Sequence, residues 1–160
     1  MTEWRIRALP DCRLAEAWPL VHLRYPDWTM DTWLAEARTL LAEEGAGGIL
    51  TAETNAGYIY AVCGYQMDPC DGGGAALDVR IVANVGWRGT ADPLASLLKV
   101  VEGVARDHGF ARIRVDGSSV AAVGETARWE GLGYSWVGLD LCKELDPAGR
   151  AVHPQHRGVP

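Results

Sequence analysis

The sequence predicts a mixed α+β domain, and three observations carry that expectation. Segments with apolar residues at period 2 alternate with segments at three- and four-residue spacing, in the order strand, two helices, three strands, helix, strand, helix, strand. With 160 residues, 48% of them hydrophobic and 22% charged, the chain is long enough for one core but not for two. It contains no internal repeat and no CxxC pair, so neither a repeat array nor a metal or redox framework competes with that reading.

Taken in order, Trp4, Ile6 and Ala8 alternate with Arg5 and Arg7 as a half-buried strand closed by Pro10 and Asp11. Asp11 is expected to cap a helix carrying Leu14, Ala17, Trp18, Val21 and Leu23, in which Pro19 must kink or interrupt the stripe before Tyr25-Pro26-Asp27 ends it. Thr29 or Asp31 can cap a second helix with Trp33, Leu34, Ala37, Leu40 and Leu41 on one face, stopping between Gly45 and Gly48. Two β-branched and aromatic runs follow, GGILTAET and YIYAVCGYQM, joined through Asn55-Ala56-Gly57 as a hairpin. Asp68 to Gly74 is the next turn, its glycines serving a hairpin and not a phosphate cradle, because no helix starts after them. A fourth strand spans 76–83 and passes through Asn84 to Gly89 into a helix with Pro93, Leu94, Leu97, Leu98, Val101 and Val104, closed by His108-Gly109. A strand at 111–115, a helix at 121–130 stopped near Gly131 and Gly133, and a last apolar strand from Tyr134 to Leu141 complete the domain. The domain is expected to occupy 1–145, with 146–160, rich in Pro and Gly, as a loose tail.

Charge narrows the function classes. At a net charge of −6 the chain lacks the basic footprint that nucleic-acid binding needs. The first residues, MTEWRIRALPDC, carry no signal-peptide core, and no apolar run approaches the roughly 20 residues of a membrane span, so a cytoplasmic protein is expected. Cys12, Cys63, Cys70 and Cys142 read as reduced thiols, with no His spaced to activate one. His153 and His156 have no carboxylate or Cys neighbours, so no metal site is expected.

The segment from Ile81 to Leu94, with Trp87-Arg88-Gly89-Thr90-Ala91-Asp92-Pro93 at its centre, is a strand-to-helix turn rich in small residues. A helix N-terminus offers unpartnered N–H groups and a positive dipole end, Gly89 permits close backbone approach, and Arg88 can add a bidentate contact, so an anion such as a pyrophosphate is the expected guest. This stretch, together with Ala127-Arg128-Trp129-Glu130-Gly131-Leu132-Gly133-Tyr134 and the element order, resembles the GNAT (N-acetyltransferase) superfamily. The resemblance implies a mostly antiparallel mixed sheet, splayed between its fourth and fifth strands to admit the pantetheine of acyl-CoA. Acetyl-CoA or another acyl-CoA would be the co-substrate, with Arg88, Gly89, Thr90 and Ala91 at the pyrophosphate. Ala91 and Pro93 stand at the family's two small positions; Pro93 offers no N–H and Asp92 brings a negative charge next to the phosphates. A second register, starting at Gly86, fits the small positions and loses the basic residue.

The implied reaction is direct attack of a small-molecule or peptide amine on the thioester. It needs an N–H for the developing oxyanion, a base for the amine and a proton for the thiolate. On the resemblance, the backbone N–H of Val82 or Ala83 supplies the first. Asp78 is the candidate base, although its alternation with Leu77 and Val79 also reads as an exposed strand position; Glu53 is a second carboxylate, and Asp116 reads as a turn or cap. Trp129 stands where many relatives carry the proton-donating tyrosine, and indole N–H is no acid near neutral pH. Tyr134 is the candidate replacement, with core packing as its other reading. Arg112 and Arg114 read as a solvated face, and Trp18, Trp28, Trp33 and Tyr25 either border the acceptor or pack the core. The departures at Trp129, Asp92 and Pro93 keep open a GNAT-like domain that binds CoA or a protein partner without turnover, and family habit allows a homodimer.

Overall fold

The computed structural model describes residues 3–68, 76–85, 91–120 and 125–146. Seven strands form one sheet: β1 (Arg5–Ala8), β2 (Gly47–Glu53), β3 (Ile59–Asp68), β4 (Ala76–Asn84), β5 (Arg112–Val115), β6 (Ser135–Val137) and β7 (Asp140–Glu144). Their order is β1-β2-β3-β4-β5-β7-β6, and every neighbouring pair is antiparallel except the parallel pair β4–β5. The helices are α1 (Leu14–Arg24), α2 (Met30–Leu41), α3 (Pro93–Asp107) and the short α4 (Thr126–Gly131).

The sheet is covered on both faces. One apolar cluster gathers Leu97, Leu98 and Val101 of α3 with Leu77, Val79, Ile113, Val115, Trp129 and Tyr134. The other joins Leu14, Ala17 and Val21 of α1 and Trp33, Ala37 and Leu40 of α2 to Ile49, Val62, Ile81 and Ala83. Trp33 is fully buried, and its indole N–H donates to the Leu14 carbonyl at 2.8 Å, so the largest side chain between α1 and α2 carries no orphaned donor.

Local chemistry explains most of the boundaries. Thr29 caps α2 by accepting from the Thr32 N–H at 3.1 Å. Gly57, at φ +87°, closes the β2–β3 turn through its N–H to the Thr54 carbonyl. Tyr25 ends α1 because the following Pro26 disfavours helical backbone at the residue before it.

Four expectations change. Asp11 does not cap α1; the chain makes a short 3-10 turn at Asp11–Arg13, and the Asp11 carboxylate instead accepts from Arg38 of α2 at 2.8 Å. Pro19 lies inside α1 without interrupting it, the flanking Leu20 and Val21 being buried against the sheet. The run from Tyr134 to Leu141 is not one strand but the hairpin β6–β7, turned at Gly138 with φ +64°. A left-handed glycine reverses a chain whose flanking apolar residues alone would continue it. Arg114 does not project into solvent, because both oxygens of Asp78, its register partner across β4–β5, accept from it at 2.7 and 2.8 Å. Residues 121–124 of the predicted helix at 121–130, the turn at 69–75 with Cys70 and its glycines, 86–90 of the strand-to-helix turn and the tail beyond Asp146 lie outside the described residues.

Candidate active site at the fork between β4 and β5

Two local events open the sheet. In the β3–β4 register Gly64 faces Ile81 and Tyr65 faces Val79, so Arg80 is an extra residue with no partner, a β-bulge. The bulge reverses the alternation of side chains. Leu77 and Val79 join the cluster beneath α3, yet Val82 rather than Ile81 continues on that face, while Ile81 and Ala83 pack beneath α1 and α2. On the other side, pairing of β4 with β5 ends at Val79↔Val115, with one last bond from the Asp116 N–H to the Val79 carbonyl at 3.1 Å. There Asp116 turns the chain away by accepting from the Ser118 N–H at 2.9 Å, so Gly117–Ser119 diverges as a 3-10 turn. Among the described residues, no strand pairs with the second half of β4, Arg80–Asn84, on its β5 side.

Gly117 sits at this divergence because nothing larger fits: a Cβ there would run into the Leu139 carbonyl oxygen at the tip of the β6–β7 hairpin. Its own N–H donates to Asp140 at 3.3 Å.

The vacated edge of β4 is met by side chains. The Tyr25 hydroxyl accepts from the Val82 N–H at 3.3 Å and lies 3.4 Å from the Val82 carbonyl. It donates its proton to the Ser119 hydroxyl at 3.0 Å, and that hydroxyl in turn donates to the Arg80 carbonyl at 2.9 Å. Arg24 fastens the arrangement, donating to the carbonyls of Ser118 and Ser119 at 2.9 and 3.2 Å while its guanidinium lies over the Tyr25 ring. Since the Val82 N–H faces the fork, the Ala83 N–H one residue on faces β3.

Two cavities meet at Arg80 and Asp116. One, of about 170 Å³, lies at the fork among Asp78, Arg80, Arg114, Asp116 and Asp140. The other, of about 200 Å³, lies between the α1–α2 connection and β4; Tyr25, Trp28, Glu36, Gln66, Arg80 and Asp116 line it. Trp28 stacks on Tyr25 with ring centroids 4.4 Å apart and 17° between planes, forming an aromatic wall. Of the aromatic residues flagged in these helices, Trp28 and Tyr25 border the cavity, Trp33 is core, and Trp18 tilts over His22 at 4.8 Å.

The candidate residues from sequence fare unequally. Asp78 is 6% exposed, not an outward strand position, because its face of the sheet carries Arg114 as a paired cover. Glu53 is buried on β2, accepting from Thr51 at 2.8 Å and Arg13 at 3.1 Å, two strands removed from β4. Asp116 is the cap the sequence suggests. Tyr134 is 2% exposed beneath α3, edge-on to Trp129 at 5.2 Å; burial, followed by the nearby Glu102 charge, pushes its phenol well above the usual tyrosine range. Burial likewise pushes the Cys63 thiol up to about 12, so it is inert packing.

Arg88, Gly89 and Thr90 lie outside the described residues. Ala91 is held by its carbonyl, which accepts from the Trp4 indole at 2.9 Å. At the start of α3, Asp92 is the N-cap, accepting from the Leu94 N–H at 3.0 Å, and Pro93 takes the first helical position, where its missing N–H removes nothing the helix needs. Arg128 of α4 holds the Asp92 carboxylate at 2.5, 2.6 and 3.0 Å, so the charge next to the expected anion site is paired. Among the described residues no group of three or more His, Cys, Asp or Glu could hold a metal ion, and no helix is long and apolar enough to cross a membrane.

The sequence matches no protein-family model and no curated protein. The structure does match solved ones. An aminoglycoside antibiotic 6'-N-acetyltransferase from Acinetobacter baumannii is similar over 84% of this chain and 92% of its own, at 18% identity and a TM-score of 0.69. An aminoglycoside N-acetyltransferase solved in complex with CoA is similar over 99% of this chain and 97% of its own, at 14% identity and a TM-score of 0.67. A GNAT family acetyltransferase from Brucella melitensis, in complex with acetyl-CoA, is similar over 92% and 91%, at 13% identity and a TM-score of 0.62. The forked sheet of this chain, bulged at Arg80 and opened past Val79, is therefore the GNAT N-acetyltransferase fold.

Proposed function

We propose that this protein is an acyl-CoA-dependent N-acetyltransferase that passes an acetyl group to a small-molecule or peptide amine by direct attack. The observation that carries the reading is the second half of β4, which presents the N–H and C=O of Val82 to an opening where no strand pairs with them. A pantetheine chain, which carries amides of its own, can pair with such an edge, and the Val82 N–H can then polarise the thioester carbonyl. Solved structures of this fold containing CoA or acetyl-CoA support the choice of co-substrate. Arg88, Gly89, Thr90 and Ala91 would hold the pyrophosphate ahead of α3. The amine would enter the cavity walled by Trp28 and Tyr25, where Glu36 and Asp116 favour a cationic or neutral acceptor. Asp78 would take the amine's proton through water in the fork cavity, since both of its oxygens already accept from Arg114. The domain would end near Asp146, with the remaining residues as a tail.

Titrating acetyl-CoA calorimetrically and then following thiol release over a panel of amines tests the reading. Binding with amine-dependent release is expected. A second reading, CoA binding without turnover, is favoured by Asp92, which fills the α3 N-cap with the protein's own carboxylate, and by Trp129, buried where a proton donor is wanted. Binding without release selects it, and absence of binding excludes both.

A further inference from the structure

The reaction needs a proton for the departing thiolate, and neither residue at the expected place supplies one. Trp129 is an indole in the core, and the Tyr134 hydroxyl lies buried beneath α3 with its acidity suppressed by burial. One other phenol reaches the β4 edge. Tyr25, at the end of α1, places its hydroxyl against both polar groups of Val82, the residue whose N–H the acyltransferase reading assigns to the thioester carbonyl.

We propose that Tyr25 is the proton donor to the CoA sulfur, and that in the unloaded protein its hydroxyl holds the acyl carbonyl's place on Val82. The inference rests on the acyltransferase reading. A carbonyl oxygen accepting from the Val82 N–H displaces the Tyr25 hydroxyl from that hydrogen but leaves it beside the thioester, because the ring is stacked on Trp28 and the chain before it is tied to Ser118 and Ser119 by Arg24. The amine nitrogen forms a C–N bond to the carbonyl carbon, the C–S bond breaks with its electron pair going to sulfur, and the Tyr25 O–H proton passes to that sulfur. The proton shed by nitrogen passes by the water of the fork to Asp78, and by that water it returns to the phenolate through the Ser119 hydroxyl, 3.0 Å from it. The sum is thioester plus amine giving amide plus thiol, with Tyr25 restored.

The test is Tyr25→Phe in the full chain, which keeps the ring and its stack. Acetyl-CoA affinity is measured by calorimetry, and thiol release is followed with a diamine, an amino sugar and a peptide bearing a free α-amino group. The expected result is a kcat lower by about 10²- to 10³-fold, an acetyl-CoA Kd unchanged or tighter because a competitor for Val82 is gone, and an unfolding midpoint lowered by no more than the roughly 2 to 4 °C that the lost hydroxyl contacts are worth. A kcat within about threefold of the parent, or a loss matched by an equal weakening of Kd, overturns the assignment of Tyr25 while leaving the acyltransferase reading standing. A parent protein that binds acetyl-CoA without releasing thiol, or does not bind it, overturns both.

Discussion

Asp92→Asn separates two things that Asp92 does at once. Asparagine caps a helix about as well as aspartate, so the acceptor for the Leu94 N–H is kept. What is lost is the charge held by Arg128. The pair is close, at 2.5 Å, but the two side chains are 29% and 35% exposed, so its worth lies at the upper end of the range for partly solvated pairs, about 1 kcal/mol, and not the several kcal/mol of an enclosed one. Unfolding should shift down by roughly 2 to 4 °C for a domain of this size. Affinity for CoA should move the other way. The variant removes an anion from the N-terminus of α3 and frees a guanidinium beside it, adding about one charge-assisted contact; discounted for exposure to about 1 to 1.4 kcal/mol, that is a five- to tenfold lower Kd. Calorimetry at low and high salt reads both the gain and its screening, which should be steeper than in the parent. Asp92→Ala should lose about a further 1 kcal/mol of stability through the missing cap. A variant that loses stability as described yet binds CoA no better would refute the placement of the pyrophosphate at this helix end.

Other expectations follow from packing and charge. Arg114→Ala leaves the buried Asp78 carboxylate unpaired and should cost on the order of 2 to 3 kcal/mol in chemical denaturation; Asp78→Ala combined with it should be more stable than Arg114→Ala alone, and the reverse order would count against the pair. Gly117→Ala should destabilise markedly and blunt any activity, because the new methyl forces the 3-10 turn at Gly117–Ser119 and the β6–β7 hairpin apart; a variant with parental midpoint would show the contact to be soft. Burial raises the Cys63 thiol from 9.0 to about 12, so the unfolded chain loses that proton first as pH rises. Its contribution to stability is complete below about pH 9 and falls by up to about 1.4 kcal/mol per unit from there to about 12, a slope that Cys63→Ala should reduce in denaturation measured against pH.

Features set by near neighbours in the chain were readable: the Thr29 cap, the glycine turn at Gly57, the apolar stripe of α3 and the His108-Gly109 stop all rest on residues within one turn of each other. Asp92-Pro93 is equally local, a cap followed by proline at the first helical position, but against a phosphate-binding pattern its charge and missing N–H read as departures rather than as a helix start. The hairpin at Gly138 was hidden by Trp136, Val137, Leu139 and Leu141, which read as one apolar run although Val137 and Leu139 are 60% and 88% exposed. The site itself was less legible. Asp78 and Arg114 are 36 positions apart and Tyr25 and Val82 are 57 apart, so only the sheet register and the packing of α1 bring them together. The bulge at Arg80 has no glycine or proline within β4 to announce it, and its sign is the shift of Val82 onto the face of Leu77 and Val79.

Splitting a sheet creates two new strand borders in the middle of a domain, and an unpaired border is a template on which any extended chain can assemble. Proteins usually blunt such borders with charge, proline or permanent cover. Here the cover on Val82 is a single phenol at a helix end, which on the proposal above yields the Val82 hydrogen to a guest carbonyl while staying beside it. On that proposal the border is shielded from stray chains until a guest offers backbone-like amides good enough to replace that hydroxyl. Loose association through β4 should therefore be worst in variants that lack Tyr25 altogether and are kept free of CoA.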